Sequence, residues 1–321
     1  MSAARRLEVI APGLQTTVQD RGRPGHARFG VSAAGAADPL AYALANRLAG
    51  NEAGAAALEM TLLGATLRFD AEAVVALAGA DMRAEIDGLP FPCWQSRRVP
   101  AGAVLKCGAA AAGARTYLAV AGGFDLPLFL GSRSTHLPSH LGGLEGRALR
   151  RGDRLPLGSA GGHGERTLTR GALERLAPRP TLRVTPGPQA ARFTAPARRL
   201  FETAEFVVSA ASDRMGIRLD GTVVPTPGEG RMPSEGMPLG AVQVPPDGAP
   251  ILLFVDHQTT GGYPVIASVA AADAWRAGQL RPGARVRFET IDSAAARDLY
   301  REQQAWLRSP DLLAPVAADG P

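Results

Sequence analysis

Near its N-terminus the chain reads Leu7-Glu8-Val9-Ile10-Ala11-Pro12-Gly13, in which apolar residues recur at every second position before a Pro-Gly pair. Alternation of this kind is typical of a β-strand with one buried face, and Pro-Gly is typical of a turn. The same arrangement returns in Leu182-Arg183-Val184-Thr185-Pro186-Gly187-Pro188. Two such openings in one chain indicate a diverged internal duplication, in which each half begins with a strand that enters a turn.

The ends of the two halves are also similar. One half ends in Leu149-Arg150-Arg151-Gly152-Asp153-Arg154-Leu155-Pro156-Leu157, and the other in Leu280-Arg281-Pro282-Gly283-Ala284-Arg285-Val286-Arg287-Phe288. Residues 158–180 lie between the halves and are rich in Gly and Pro, as a surface connection would be. We therefore predict an N-terminal β-barrel lobe at residues 1–160, a linker at 161–180, a C-terminal β-barrel lobe at 181–308 and a disordered tail at 309–321.

The fold class follows from the distribution of turn-forming residues. The 38 Gly and 26 Pro residues have no period, which is typical of turns between many short strands. Short apolar runs such as residues 74–78, 116–120 and 251–255 have the length and composition of core strands. Helical patterns are limited to residues 38–50, 269–278 and 293–307. The sequence therefore predicts a mainly β protein with a few short helices.

Composition excludes several classes of function. The formal charge is +5, but Lys106 is the single lysine and no basic run exceeds two residues, which argues against a nucleic-acid arm. Aromatic residues make up 5% of the chain, too few for a surface on which bases stack. Cys93 and Cys107 have no partners at metal-ligand spacing, so we expect reduced thiols in a cytosolic protein.

Other cofactor and membrane signals are also weak. No two of the five histidines stand on a helix at i and i+4 spacing, since Pro138 interrupts the chain between His136 and His140, so we predict no metal site. The sequence has no Walker A loop, which assigns any use of ATP to partner proteins. The first ten residues carry charges, and no apolar stretch approaches the roughly 18 residues of a membrane span. We expect a soluble, cytoplasmic protein.

One polar segment closely follows an apolar strand pattern. After Ile251-Leu252-Leu253-Phe254-Val255 comes His257-Gln258-Thr259-Thr260-Gly261-Gly262-Tyr263-Pro264, where a strand ends and a loop opens. Glycines at 261 and 262 allow close approach of the backbone, and the side chains of Gln258, Thr259, Thr260 and Tyr263 add hydrogen-bonding groups. Such a loop can bind a carboxylate or a developing oxyanion. A tight polar turn with a packed tyrosine is the structural alternative.

The first half contains two further candidate segments. Gly131-Ser132-Arg133-Ser134-Thr135 places Arg133 among hydroxyls, where it can bind a carboxylate or satisfy a buried loop carbonyl. Thr16-Thr17-Val18-Gln19-Asp20-Arg21-Gly22-Arg23 brings Asp20 next to Arg21, either as part of a site or as a surface ion-pair cluster. Both interpretations remain open for each segment.

Two acidic residues of the second half are candidates for proton transfer. Ser212-Asp213-Arg214-Met215-Gly216 places a carboxylate beside a guanidinium, an arrangement that orients a ligand or closes a turn. Ser234-Glu235-Gly236-Met237 places Glu235 beside a glycine, which makes it the better acid–base candidate. We predict Glu235, Tyr263 and Asp213 as catalytic residues. The predicted substrate-binding residues are Asp20, Arg21, Arg133, Ser134, Thr135, Arg214, Gln258, Thr259, Thr260, Gly261 and Gly262.

Taken together, these segments, in this order, resemble the biotin-dependent carboxyltransferase family. The resemblance extends from about residue 7 to residue 300. The family includes the C subunits of 5-oxoprolinases, the allophanate hydrolase subunit 2 type, the carboxyltransferase domain of urea carboxylase, and an antagonist of a sporulation-kinase inhibitor. It implies two cyclophilin-like β-barrel lobes, in agreement with the duplication.

The resemblance also implies an activity and partners. For a chain of this length it implies ATP-dependent opening of 5-oxo-L-proline to L-glutamate, together with proteins like the A and B subunits of 5-oxoprolinase. One alternative is a biotin-dependent urea or amide carboxyltransferase, with biotin on a partner because the chain has no Met-Lys-Met carrier motif. Another is a non-catalytic regulatory protein that sequesters a kinase inhibitor of the B type. In the enzyme interpretation, Thr259, Thr260 and Tyr263 polarise the lactam carbonyl, and Arg214 or Arg133 binds the ring carboxylate.

Overall fold

The computed structural model describes residues 5–161 and 164–316. The described residues form two compact units. The N-terminal unit contains residues 5–23, 38–161, 164–177 and 307–316, and the C-terminal unit contains residues 24–37 and 178–306. Each unit therefore includes a segment that is distant in sequence from its main body.

The N-terminal unit contains two β-sheets. Its strands are β1 (Arg6–Ala11), β2 (Gln15–Gln19), β3 (Ala57–Thr61), β4 (Thr66–Phe69), β5 (Ala73–Gly79), β6 (Glu85–Ile86), β7 (Leu89–Pro90), β8 (Gln95–Val99), β9 (Val104–Lys106), β10 (Arg115–Val120), β11 (Arg154–Pro156), β12 (Arg166–Leu168) and β22 (Leu313–Pro315). One sheet has the order β11-β1-β4-β9-β6-β7, and the other has the order β2-β3-β10-β5-β8-β12-β22.

The two sheets of this unit share one core. Leu7 and Val9 alternate along β1, and both are fully buried in a cluster that also contains Leu58 of β3 and Leu118 of β10. Because successive side chains of a strand point to opposite faces, this alternation gives each sheet one apolar face. The cluster includes residues from both sheets, so their apolar faces pack together.

Helix α1 (Pro39–Leu48) packs against β5 and β10. The Asp38 carboxylate accepts a hydrogen bond from the Ala41 amide at 2.8 Å, and Pro39 occupies the first turn. Both features stabilise a helix N-terminus. Leu44 and Leu48 are fully buried, which confirms the apolar stripe predicted for this helix.

The C-terminal unit is built on a closed barrel. Its strands are β13 (Thr181–Pro186), β14 (Phe206–Val208), β15 (Gly216–Asp220), β16 (Glu235–Gly236), β17 (Ala241–Gln243), β18 (Ile251–Leu253), β19 (Thr260–Gly261), β20 (Val265–Val269) and β21 (Arg285–Thr290). The barrel order is β13-β20-β17-β18-β15-β14-β21, while β16 and β19 pair separately. Three stacked or tilted phenylalanine rings, Phe201, Phe206 and Phe288, lie in its core.

The remaining helices are short. They are α2 (Arg170–Arg175), α3 (Ala195–Thr203), α4 (Ala274–Gly278) and α5 (Ser293–Arg308). The pattern at 269–278 predicts one helix, but β20 extends to Val269 and a 3-10 turn precedes α4. Helix α5 confirms the pattern at 293–307. None of the helices in the described ranges is both long enough and apolar enough to cross a bilayer.

The fold class is confirmed as mainly β, and the predicted repeats occupy comparable strands. β1 and β13 begin their units, and each pairs with the strand formed by the end repeat, β11 or β21. The pairing of β1 with β11 is antiparallel, whereas that of β13 with β21 is parallel. This reversal accompanies a structural difference, because the C-terminal unit closes as a barrel and the N-terminal unit forms two sheets.

The structure differs from two of the predicted boundaries. The predicted linker at 161–180 contains β12 and α2, and Thr167 of β12 pairs with Gln95 of β8. The predicted disordered tail at 309–321 contains β22, which pairs with β12 from Leu313 to Pro315. Both segments are ordered by hydrogen bonds to distant parts of the chain, and residues 317–321 lie outside the described ranges.

Candidate functional site

A short hairpin in the C-terminal unit brings two predicted segments together. Glu235 of β16 pairs with Gly261 of β19. The Met237 amide donates to the Thr259 carbonyl at 2.9 Å. The Met232 amide donates to the Gly262 carbonyl, also at 2.9 Å. The acid–base candidate Glu235 therefore lies beside the polar loop 257–264, although more than twenty residues separate them in the sequence.

Close packing within the unit explains the two glycines of this loop. Neither has a left-handed φ angle. A Cβ atom on Gly261 would lie 2.6 Å from Nε2 of Gln243, and one on Gly262 would lie 3.0 Å from the Met232 carbonyl oxygen. The sequence predicts close approach of the backbone to a ligand, but the close neighbours in the structure belong to the protein itself. A larger residue at position 261 would push the hairpin away from the barrel.

The polar side chains of the loop differ in exposure. Gln258 and Thr260 are exposed, and Thr259 and Tyr263 are half-buried. In the described parts of the chain, no hydrogen bond engages the hydroxyl groups of Thr259, Thr260 or Tyr263. The Tyr263 carbonyl accepts from Nε2 of Gln243 at 3.3 Å, which fixes the backbone there. The loop thus has an anchored backbone and hydroxyl groups that can bind a ligand.

His257 begins the loop as a buried neutral acceptor. Its Nδ1 lies 2.7 Å from the Gln258 carbonyl oxygen, which can only accept, so Nδ1 carries the proton. In the neutral ring Nε2 then has a free lone pair. Burial lowers the pKa of His257, against the smaller opposing effects of the Gln258 carbonyl and the Asp256 charge. His257 is therefore suited to accept a proton or a hydrogen bond through Nε2.

The lowered pKa of His257 predicts how stability depends on pH. An unfolded histidine titrates near 6.5 and binds a proton before the folded one does, so stability is lost as the pH falls through about 6.5. We expect His257→Gln to lose less stability than the wild type between pH 7 and pH 5.5, measured by urea unfolding. Equal pH dependence in the wild type and His257→Gln would contradict this prediction.

A buried ion pair lies at the base of the loop. Arg214 Nε and Nη2 donate to the two carboxylate oxygens of Asp256 at 2.8 and 3.1 Å, and both side chains are at least 95% buried. Arg214 Nη2 also donates to the Gly35 carbonyl at 2.7 Å. Arg214 therefore orders the chain before His257. Because Arg214 donates hydrogen bonds to Asp256 and Gly35, the structure indicates a structural role for it, in place of the predicted contact with substrate.

Asp213 does not pair with its neighbour Arg214. Its side chain is exposed, and Oδ1 accepts hydrogen bonds from the amides of Met215 at 2.8 Å and Gly216 at 3.0 Å. This geometry closes a turn, the structural alternative for the segment. The structure thus separates Asp213 from Arg214, and the carboxylate lies in a turn that leads into β15.

A second cluster lies in the N-terminal unit, around the Asp20 carboxylate. Oδ1 accepts from the Ser132 and Ser134 hydroxyls at 2.6 Å each and from the Gly22 amide at 2.8 Å. Oδ2 accepts from the Arg133 amide at 2.5 Å. The Thr135 hydroxyl donates to the Val18 carbonyl at 3.0 Å. The two predicted segments do come together, with Asp20 as their common acceptor.

The arginines of this cluster differ in their surroundings. Arg133 Nε donates to the Leu126 carbonyl at 2.7 Å, as in the structural alternative, but 28% of its side chain is exposed and Nη2 lies 3.6 Å from Asp125. Arg21 is exposed. Arg23 is buried and donates to the Ser134 and Phe129 carbonyls. Of the predicted binding residues here, Arg133 and Arg21 therefore remain accessible to a ligand.

Several residues that organise these clusters are absent from the sequence-based prediction. Asp256 stands between the apolar strand and His257, and a carboxylate directly after a buried strand was a usable signal. Ser132 binds Asp20, and its place beside Ser134 with one residue between them was a second signal, since side chains two apart in an extended chain share a face. Gln189 follows the repeated Pro-Gly turn, but no local pattern shows its contacts. Within residues 5–161 and 164–316, no group of three or more His, Cys, Asp or Glu residues could hold a metal ion.

Known proteins resemble this chain over nearly its whole length. It is 39% identical to the C subunit of the Escherichia coli 5-oxoprolinase over 308 residues, which cover 94% of this chain and 98% of the relative. It is 32% identical to the urea amidolyase of Saccharomyces cerevisiae, covering 95% of this chain but 18% of that one. The crystal structure of the K. lactis urea amidolyase superimposes with a TM-score of 0.89 at 31% identity, covering 98% of this chain and 21% of that chain.

Residues 29–290 match the family described as carboxyltransferase domain, subdomain A and B. That range includes the Arg133 loop, the Arg214–Asp256 pair and the hairpin of Glu235 and Gly261. The resemblance inferred from the sequence motifs is therefore confirmed by the family match and by the E. coli relative. This chain belongs to the carboxyltransferase domain family.

Proposed function

We propose that this chain is the C subunit of a 5-oxoprolinase, which opens 5-oxo-L-proline to L-glutamate with ATP and with partners like the A and B subunits of that enzyme. The observation that carries the proposal is the end-to-end match to the E. coli protein, 98% of which is covered. In the yeast urea amidolyase the same region is 18% of a much longer chain. The proposal therefore rests on a relative named as that subunit, which the match covers almost completely.

The loop 257–264 supports the proposal because its groups suit a lactam. The hydroxyl groups of Thr259, Thr260 and Tyr263 are donors for the carbonyl oxygen, whose negative charge grows as the ring opens. His257 Nε2 is an acceptor for the ring N–H or for the proton of an attacking water. In this proposal the proton is transferred by Glu235, which pairs with Gly261 of the loop.

The proposal assigns different roles to the arginines. Arg214 is engaged by Asp256 and holds the loop in place. Arg133 of the N-terminal unit is partly exposed, so it remains a candidate for binding a carboxylate within that unit. In this proposal ATP is bound by a partner.

Reconstitution tests the proposal. The chain is combined with its candidate A-type and B-type partners, and glutamate formation from 5-oxo-L-proline is measured with and without ATP. We expect turnover with all three proteins and ATP, and a loss when this chain is omitted. Absence of turnover in the complete mixture, or equal turnover without this chain, would refute the proposal.

A carboxyltransferase of urea or another amide is the second candidate. The structure of the K. lactis urea amidolyase favours it, because that structure superimposes on 98% of this chain with a TM-score of 0.89. This activity would require a biotinylated partner. Avidin blotting of the purified complex separates the candidates, since a biotinylated partner and bicarbonate-dependent turnover of urea are expected only for the carboxyltransferase.

A further inference from the structure

The chain after β13 runs unusually close to β20. The Gly187 amide donates to the Ile266 carbonyl at 3.0 Å, and the Gln189 amide donates to the Val265 carbonyl at 3.3 Å. A Cβ atom on Gly187 would lie 2.4 Å from the Val265 carbonyl oxygen and 2.9 Å from the Ala267 amide nitrogen. Only glycine fits this approach, which brings Gln189 against the first residue of β20. That residue directly follows the polar loop.

The side chain of Gln189 is fixed at both ends. Its Oε1 accepts from the Val265 amide at 3.1 Å, and its Nε2 donates to Oε1 of Glu235 at 2.6 Å. The Val265 N–H can only donate, so the oxygen of the amide must face it and the nitrogen must face Glu235. The residue is 8% exposed, so its amide has little room to rotate. Gln189 thus presents a donor of defined direction to one carboxylate oxygen.

Glu235 itself is an exposed residue on a two-residue strand. A free glutamate side chain samples several rotamers, and confining it costs conformational entropy. Gln189 is a buried residue attached to the barrel, and its hydrogen bond confines the Glu235 side chain. Within the described residues the second oxygen of Glu235, Oε2, has no hydrogen bond, so it remains available for proton transfer.

We propose that Gln189 is a positioning residue, which holds one oxygen of Glu235 so that the other faces the reaction at the polar loop. The inference rests on the proposed function, in which Glu235 transfers a proton. It also explains the second Pro-Gly turn of the sequence, Pro186-Gly187, because that turn places Gln189 between the barrel and the hairpin of β16 and β19.

Three variants test the inference in the reconstituted complex. Gln189→Met keeps the size of the side chain but removes both hydrogen bonds, and we expect kcat to fall about 10- to 100-fold with KM within about twofold of the wild type. Gln189→Glu keeps an acceptor for Val265 but sets a carboxylate against Glu235, and kcat should fall further. Gln303→Met is the matched control, because Gln303 donates a single bond to the Ala272 carbonyl in the same unit. Its kcat should be unchanged.

Exchanging the side chains of Gln189 and Glu235 tests their hydrogen bond separately from proton transfer. Gln189→Glu alone should lower the urea midpoint, because two carboxylates face each other. Adding Glu235→Gln restores a donor–acceptor pair, so the midpoint of Gln189→Glu/Glu235→Gln should return to that of the wild type while turnover stays lost. If the contact between Gln189 and Glu235 were purely structural, the double variant would recover both the wild-type urea midpoint and turnover, or neither of them.

Each outcome decides the inference. A folded Gln189→Met complex with wild-type kcat overturns it, and so does a change in KM alone. If the wild-type mixture does not open 5-oxo-L-proline, the proposed function fails, and the unfolding measurements then test the positioning contact by themselves. In that case, failure of Glu235→Gln to restore the midpoint of Gln189→Glu overturns the inference as well.

Discussion

Replacing Asp256 with alanine is expected to destabilise the C-terminal unit by about 3–5 kcal/mol, because the change leaves a buried guanidinium without its counter-ion. Arg214 is 5% exposed and Asp256 is fully buried, so water cannot replace the lost carboxylate. The Arg214 bond to the Gly35 carbonyl remains but does not neutralise the charge. Urea unfolding followed by tryptophan fluorescence measures the loss, since Trp275 and Trp306 lie in the same unit.

An exposed ion pair provides the matched control. Asp298 and Arg301 lie 3.4 Å apart on α5, with side chains that are 66% and 75% exposed. Exposed pairs contribute little to stability, so Asp298→Ala should change it by less than about 1 kcal/mol. Similar losses in the two variants would show that burial of the Arg214–Asp256 pair does not determine its contribution.

Replacing Asp20 with alanine should release the Arg133 loop of the N-terminal unit. Asp20 accepts hydrogen bonds from two hydroxyls and two amides, and donors to a buried carboxylate contribute roughly 1.5–3 kcal/mol each when they cannot be satisfied otherwise. Allowing for partial replacement by water, we expect local opening to become easier by about 3 kcal/mol. Cleavage by trypsin after Arg133 should then accelerate about 100-fold, since it follows the population of the open loop.

Asp125 is the control for this experiment. Its side chain is 71% exposed and lies 3.6 Å from Nη2 of the same Arg133. Asp125→Ala should leave the cleavage rate within about threefold of the wild type, because exposed pairs are weak. An Asp20→Ala protein that resists trypsin as the wild type does would show that Asp20 does not hold the loop closed.

The elements that the sequence predicts well are those with local signals. The Pro-Gly turns locate the openings of β1 and β13, and the Asp38-Pro39 start locates α1, because the decisive contacts lie within a few residues. The strand β12 was missed since its partners are β8 and β22, which lie far from it in the sequence. A three-residue strand has no pattern of its own, and only the completed sheet makes it recognisable.

The same distinction applies to the site. Some of the polar segments that residue types single out meet in the structure, as Asp20 does with Ser134 and Glu235 with Gly261. Which side chains pair with each other was not predictable from their adjacency in the sequence. Asp213 and Arg214 are neighbours in the chain, yet Asp213 closes an exposed turn while Arg214 enters the interior and pairs with Asp256.

The membership of β22 in the N-terminal unit has a consequence for synthesis on the ribosome. Chains fold as they emerge, and units made of contiguous sequence can be completed early. Here the last strand of the larger sheet is translated after the whole barrel, so β12 keeps an open edge until β22 has been synthesised. Open edges are where strands of other chains add. Nascent chains should therefore depend on chaperones until β22 has been synthesised, whereas the contiguous barrel can be completed earlier.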